Sequence, residues 1–373
     1  MRTSRLLAVG ASAVALLLAS ACGGGGSASV GAQIQATNSL DGGGKLLVAF
    51  MPTAAATYVA SDIKAVKDTA AEYHYEITVF QNNFDQAQQD QQVQQFLASG
   101  QKPAAVIWWP SNVEASVNSV RQLARIAPVI QINQGVSAET EQYVAAYAGA
   151  NDGLIGTIAG QQALEARKAD VAAGRTLHSG NGNLIEFSFP SGYKAAADRH
   201  DGFTEATKAA PFDLLRDEPA TGTLDAADGF NHASQVLPKF KAQGVDYVYA
   251  QNLDMGSGIV EALEQNGYQP GKDVTVVAGN CSGNLGPLQD GKVYSAVVQP
   301  PLMEGRLAVR TAVQLLASGK VTDETVTVEP SDTVPELTVG PVPKRAYLPA
   351  VPLTKDCLAT LKIWGLSGRD LCS

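Results

Sequence analysis

Positive charge, histidine and long apolar runs are all scarce in this chain. It holds 27 Lys and Arg against 36 Asp and Glu, a net charge of -9. No basic stripe is present to displace counterions from a phosphate backbone, which excludes nucleic acid as a partner. Charged residues make up 17% and hydrophobic ones 45%, the composition of a globular chain with a lightly charged surface. The four histidines, His74, His178, His200 and His232, show no metal-ligand spacing. Gly267-Tyr-Gln-Pro-Gly-Lys-Asp273 is one residue short of a phosphate-binding loop and ends on Asp where Ser or Thr is required. Ser282 stands one place off a nucleophile elbow in Gly279–Gly283. No catalytic group, metal or organic cofactor is expected. One long uncharged run exists, Leu6 to Ala21, preceded by Arg2 and Arg5. It is short for a membrane span and ends in small residues, so residues 1–21 read as a signal peptide.

Cysteine is equally sparse, with four in 373 residues. Cys22 follows Ala19-Ser20-Ala21 and precedes Gly23–Gly26, which resembles a bacterial lipoprotein box. That resemblance implies cleavage before Cys22 and acylation of its thiol, with each buried methylene adding about 0.8 kcal/mol of membrane affinity. Residues 22–44, rich in Gly, Ser, Ala and Asn, read as a flexible tether. Cys357 and Cys372 lie close together near the C-terminus and are expected to pair, with a loop worth about 3 kcal/mol. Cys281 is then a buried small hydrophobe.

What the chain has in quantity is alternation. β-branched and apolar runs at Leu46–Phe50, Glu76–Phe80, Ala104–Trp109, Val129–Asn133 and Tyr143–Ala148 alternate with helical spacing. Gly149 to Gly153 interrupts the series, and the chain is expected to cross to a second lobe there. The alternation restarts with strands at Asn183–Phe189, Leu214–Glu218, Tyr247–Gln251, Val274–Gly279 and Val293–Gln299. The glutamine-dense helix before Ala104 reads as having a solvated face. The predicted fold is α/β with two similar lobes, each a parallel sheet flanked by helices, joined by a multi-strand hinge. Residues 45–150, completed by about 300–322, form one lobe; residues 151–299, completed by about 323–373, form the other.

Tyr247–Leu263 is the most informative stretch. A buried strand ends in Gln251, Asn252 and Asp254 and turns into a helix, which places amides at the carboxyl edge of a sheet, where open α/β folds bind ligands. Ala250, Gln251, Asn252, Met255 and Gly258 match in register a segment of the ribose-binding-protein family, so the chain resembles the type I periplasmic sugar-binding proteins. Trp109-Pro-Ser-Asn112, Pro128–Gln134, Arg199 with Gly202-Phe203, Val276–Asn280 and Ala296–Pro300 extend the resemblance over about residues 45–320. It implies a ligand held between two lobes, contacted by Thr57, Tyr58, Asn133, Gln134, Leu224, Asn252, Asn280 and Gln299. Trp109 and Tyr193, each just past a strand end, are added from the strand reading. Asn112, Asn133 and Asn280 replace typical aspartates, and Gln134 replaces a typical arginine, so a neutral sugar or polyol is the expected ligand. The resemblance further implies a monomer that delivers solute to an ABC permease from the outer face of the cell membrane. The alternative is a sensing ectodomain that presents its liganded form to a signalling partner.

Overall fold

A computed structural model describes residues 34–373. The expected signal peptide and Cys22 lie outside the described residues.

The first half builds one sheet from β1 (Leu46–Pro52), β2 (Glu76–Asn82), β3 (Ala105–Trp108), β4 (Val129–Gln131) and β5 (Ala146–Gly149). Between them run α1 (Thr57–Glu72), α2 (Gln86–Ala98) and α3 (Val117–Ala124). β1, β3 and β4 are buried along almost their whole length, as apolar strands covered on both faces must be. Asp85 caps α2 by accepting from the Ala87 N–H at 2.8 Å. The solvated face expected of that helix is interrupted at Gln89, which is fully buried. Its Nε2 donates to the Trp109 carbonyl at 2.8 Å and its Oε1 accepts from the Ser111 N–H at 3.2 Å. A glutamine inside the helix thus holds the loop that follows β3.

The chain then crosses into α4 (Asp152–Ala172), β6 (Asn183–Ser188), α5 (Lys194–Thr207), β7 (Asp213–Pro219), α6 (Ala226–Val236), β8 (Tyr247–Asn252), α7 (Leu253–Gln265), β9 (Thr275–Asn280), α8 (Gly286–Gln289) and β10 (Val293–Val297). The 21-residue α4 was not foreseen from the sequence. Its Gly153, Gly156 and Gly160 read as breakers, since glycine costs a helix interior about 1 kcal/mol relative to alanine. Here they let α4 and α5 touch: a Cβ on Gly156 would stand 2.1 Å from the Arg199 carbonyl oxygen, and one on Gly202 would stand 2.2 Å from that of Gly153.

After β10 the chain returns as α9 (Pro301–Ser318), which packs along α1. It continues into β11 (Val321–Thr327) and β12 (Val342–Tyr347), crosses once more to β13 (Pro352–Leu353) and α10 (Lys355–Leu358), and ends in the small hairpin of β14 (Lys362–Ile363) and β15 (Leu366–Ser367). The first sheet has the order β11-β12-β5-β4-β3-β1-β2 and is parallel throughout. The second has the order β13-β10-β9-β8-β6-β7, with only β13 antiparallel. Each lobe's first five strands therefore repeat one doubly wound order, and three crossings join the lobes.

Three expectations are corrected. Residues 321–347 join the first lobe's sheet rather than completing the second, because β12 pairs with β5. Order begins before Lys45: the Thr37 and Asn38 N–H groups donate to carbonyls of Leu316 and Ala317 on α9. The disulfide joins Cys281 to Cys372, with a Cα–Cα distance of 5.1 Å, and Cys357 is free. Nearness in sequence misled here. The Cys357 sulfur turns back on its own helix, accepting from the Thr354 N–H at 3.1 Å, while β14 and β15 carry Cys372 to the core beside Cys281.

Candidate functional site

Both sheets turn their carboxyl ends toward the gap between the lobes. A cavity there contains about 450 Å³ of space free of atoms, part of it continuous with solvent. The first lobe contributes Tyr58 and Val59 from the start of α1, Phe84 after β2, Trp109 after β3 and Asn133 after β4. The second contributes Phe189 after β6, Thr223 and Leu224 after β7, Asn252 at the end of β8, Asn280 at the end of β9 and Gln299 after β10. Tyr193, Arg199, Asp254 and Ser282 complete the second lobe's wall. Strand alternation separates the two tryptophans: Trp108 is wholly within the core and Trp109 faces the cavity.

Eight of the ten expected ligand residues therefore meet at one place. The two others do not line it. Thr57 is exposed at the first position of α1, one residue before the inward-facing Tyr58. Gln134 is fully buried but faces the other lobe, where its Oε1 accepts from the Ala195 N–H at 3.1 Å. Trp109 Nε1 donates to the Tyr193 hydroxyl at 3.1 Å, and that hydroxyl donates to Asn133 Oδ1 at 3.2 Å. These three bonds run from lobe to lobe and hold the two halves against each other.

Arg199, one of the residues that carry the family resemblance, was not among the expected ligand residues. It lines the cavity, yet all its donors are engaged. Nε and Nη2 reach Asp152 Oδ1 at 2.8 and 2.7 Å. Nη1 reaches the Gln251 carbonyl and Asn280 Oδ1, the latter at 2.8 Å, and Nη2 reaches Gln299 Oε1 at 2.7 Å. A guanidinium has five N–H donors, and these contacts use them. Arg199 therefore sets the orientation of Asn280 and Gln299: their oxygens are taken, so their amide N–H groups are left for the cavity. Burial pushes the Asp152 carboxyl up and Arg199 pulls it back.

The first lobe meets its buried charge differently. Glu304 on α9 is fully buried and accepts from the Tyr58 hydroxyl at 2.6 Å, from Asn133 Nδ2 at 3.0 Å and from the Ala150 N–H at 3.0 Å. Asp62 on α1 lies against it, also fully buried, and no described N–H or O–H donates to either of its oxygens. Burial, then the Glu304 charge, hold Asp62 well above the usual carboxylate range. The pair braces two cavity residues and the Ala150 crossing together.

Backbone strain gathers at the same place. Six described non-glycine residues have left-handed φ, and three of them, Phe84 (55°), Asn133 (60°) and Leu224 (63°), line the cavity. Such conformations cost of order 1–3 kcal/mol each and persist where surrounding structure over-determines them. For Leu224, the Asn252 Nδ2 donates to its carbonyl at 2.9 Å, while Asn252 Oδ1 caps α7 through the Met255 N–H at 2.8 Å. Phe84, Phe189, Asp254 and Ser282 were missed by sequence reading. All stand within four residues of a strand end, the one signal that could have found them.

Polar strand ends from two lobes, walled by aromatic rings, define a protein that binds a small solute in a cleft. Residues 48–320 match the family model described as periplasmic binding protein domain. The ribose import binding protein of Escherichia coli (strain K12) is 29% identical over 251 residues, 66% of this chain and 76% of that protein. The fructose import binding protein of Bifidobacterium longum is 26% identical over 333 residues, 87% of this chain and 92% of that protein. A Mycobacterium smegmatis structure in complex with β-D-fucofuranose superposes with a TM-score of 0.66 at 23% identity, over 83% of this chain and 92% of that one, a likeness of fold. The chain belongs to the periplasmic binding protein domain family.

Proposed function

We propose that this protein captures a neutral sugar or polyol between its lobes and delivers it to the permease of an ABC importer. The observation that carries this reading is the convergence of Asn133, Asn252, Asn280 and Gln299, from both lobes, on one cavity faced by Tyr58, Trp109, Phe189 and Tyr193. Amides pair with hydroxyls that both donate and accept, and aromatic rings cover the apolar faces of a sugar ring. The relatives named for ribose and fructose import support the same class of solute. Thr57 and Gln134 act at the rim and between the lobes in this reading. The bonds from Trp109 and Gln134 across to the second lobe are those that form as the hinge closes, so ligand and closure favour one another. Cys22 carries the lipid that holds the protein, as a monomer, at the outer face of the membrane.

Thermal unfolding and calorimetry with D-ribose, D-fructose, D-fucose, myo-inositol and matching sugar acids test the solute class. A neutral member at about 100 times its Kd is expected to add about 2.7 kcal/mol of stability. Binding of only an anionic compound, or of none, would overturn the reading.

A further inference from the structure

The charge that the amide-rich strand ends lack returns to the cavity from a helix. Asp254 sits in the first turn of α7 and lines the cavity. Its neighbour across the wall is Gly283, in the left-handed region at φ 95°, where a Cβ would stand 2.5 Å from the Asp254 carboxyl carbon. Only a glycine there lets the carboxyl lie flat against the wall. Thr223 donates to Asp225, and the Asn280 Nδ2 donates to Ser282 at 2.9 Å. No described donor or cation engages the Asp254 carboxylate.

The other polar groups divide sharply by what they have left to offer. The oxygens of Asn133, Asn252, Asn280 and Gln299 all accept from protein donors. Each of these amides keeps at least one N–H, since Nδ2 of Asn133, Asn252 and Asn280 makes one bond apiece and Nε2 of Gln299 makes none. The cavity therefore presents donors from four amides and a carboxylate acceptor from Asp254. A ligand matched to it offers bare oxygens along one edge and donors at the Asp254 end.

We propose that Asp254 contacts the ligand directly and selects one that presents two hydroxyl donors from adjacent carbons, a vicinal diol, to its carboxylate. This rests on the sugar-binding reading above and deepens it. Two hydroxyls donating in parallel satisfy both carboxylate oxygens, and bonds to a charged acceptor are about twice as strong as neutral ones. The groups facing Asp254 add no cation. Asp225, the cap of α6, is an anion, and Asp228 on the same helix is engaged by His232 and by the Gly222 and Leu224 N–H groups. The loop from Cys281 to Asn284 is uncharged. Arg199 on α5 is spent on Asp152 of α4, and Glu304, across the gap, on its own donors. Burial, then Asp225, push Asp254 up to about 6. A diol stabilises the ionised form, so binding and deprotonation are linked.

Calorimetric titration of the full chain with D-ribose, D-fructose, D-fucose, myo-inositol and D-glucosamine at pH 5, 6, 7 and 8 tests this. For the tightest neutral binder, affinity is expected to fall about tenfold from pH 7 to pH 5, the loss of the ionised fraction of a group with pKa about 6. Asp254→Asn is expected to bind about ten- to hundredfold more weakly at pH 7, with no pH dependence and a Tm no lower than the native chain's, since no bond within the protein is lost and a carboxylate disfavoured by burial and Asp225 is removed. Binding that is flat with pH in the native chain, or that keeps its pH dependence in Asp254→Asn, overturns the proposal alone. Tightest binding by D-glucosamine places an ammonium, not a diol, on Asp254 and also overturns it. No binding by any of these compounds at any pH overturns both this proposal and the sugar-binding reading.

Discussion

The two lobes share a strand order but secure it by different means. The second lobe is stapled by Cys281–Cys372, and the buried carboxylate behind its cleft wall, Asp152, is paired with a buried arginine, Arg199. The first has no cross-link among its described residues. It adds two late strands, β12 and β11, to the edge of its sheet and sets against its buried Glu304 a second acid, Asp62, whose carboxyl is held well above the ordinary range by burial and by Glu304. Topology therefore does not dictate how a cleft wall manages charge. A cation holds amides in place regardless of a neighbour's protonation, whereas two buried acids whose carboxyls are both raised make the wall's stability a function of pH.

The disulfide should show the largest effect. It closes a loop of 91 residues, worth about 4–5 kcal/mol in the chain-entropy model. Cys372→Ser is expected to lower the unfolding free energy by about that amount and to let the second lobe melt before the first, seen as two transitions in calorimetry. Cys357→Ser is expected to change nothing. Equal effects from the two variants would remove the staple from the comparison. Ligand affinity should fall as well in Cys372→Ser, because Cys281 lies between the cavity residues Asn280 and Ser282.

Next is the ion pair. Arg199→Met leaves Asp152 buried without a partner, which costs about 3–5 kcal/mol, measured by urea unfolding. It also frees Asn280 and Gln299 from their anchor, so sugar affinity is expected to fall with it. Adding Asp152→Asn should restore much of the stability but not the affinity. Recovery of both would show that Arg199 only balances charge.

Asp62→Asn probes the smallest term and the sharpest contrast. The folded-state pKa of Asp62 is raised above its ordinary 3.8 by burial and by Glu304. Its contribution to stability is therefore complete below that ordinary value and is lost as pH rises through the folded-state pKa. Asn keeps a donor toward Glu304 without a titrating proton. The variant is expected to be neutral or more stable by about 1 kcal/mol on the alkaline side, and to flatten the pH dependence of first-lobe unfolding as pH rises above the ordinary value of 3.8. An unchanged pH profile would show that Asp62 is not the proton-holding group.

Much of this architecture is legible in the amino-acid order. Period-two and period-3.6 patterns mark the sheets, the resemblance to the ribose-binding-protein family is how Asn133, Asn252, Asn280 and Gln299 could be named in advance, and position just beyond a strand end added Trp109 and Tyr193. What escapes that reading follows one theme. The glycines of α4 look like breakers until α5 is known to press on them. Gln89 looks solvated until the Trp109 loop is seen above it. Asp254 looks like a first-turn helix acid until Gly283 lays it against the cavity wall, and the part Arg199 plays shows only when three of its donors are traced to Gln251, Asn280 and Gln299 at or just past the strand ends.

Alternation of strand and helix, the division into two similar lobes and the family of the chain were settled by the sequence itself, because apolar periodicity and the strand-end amides are local properties. Tertiary structure alone decided the pairing of Cys281 with Cys372, the return of β11 and β12 to the first sheet, and which side chains keep a free donor or acceptor in the cleft. Those depend on distances between residues far apart along the chain, and hydrogen-bonding capacity is spent according to what lies within about 3 Å in space, whatever the separation in sequence.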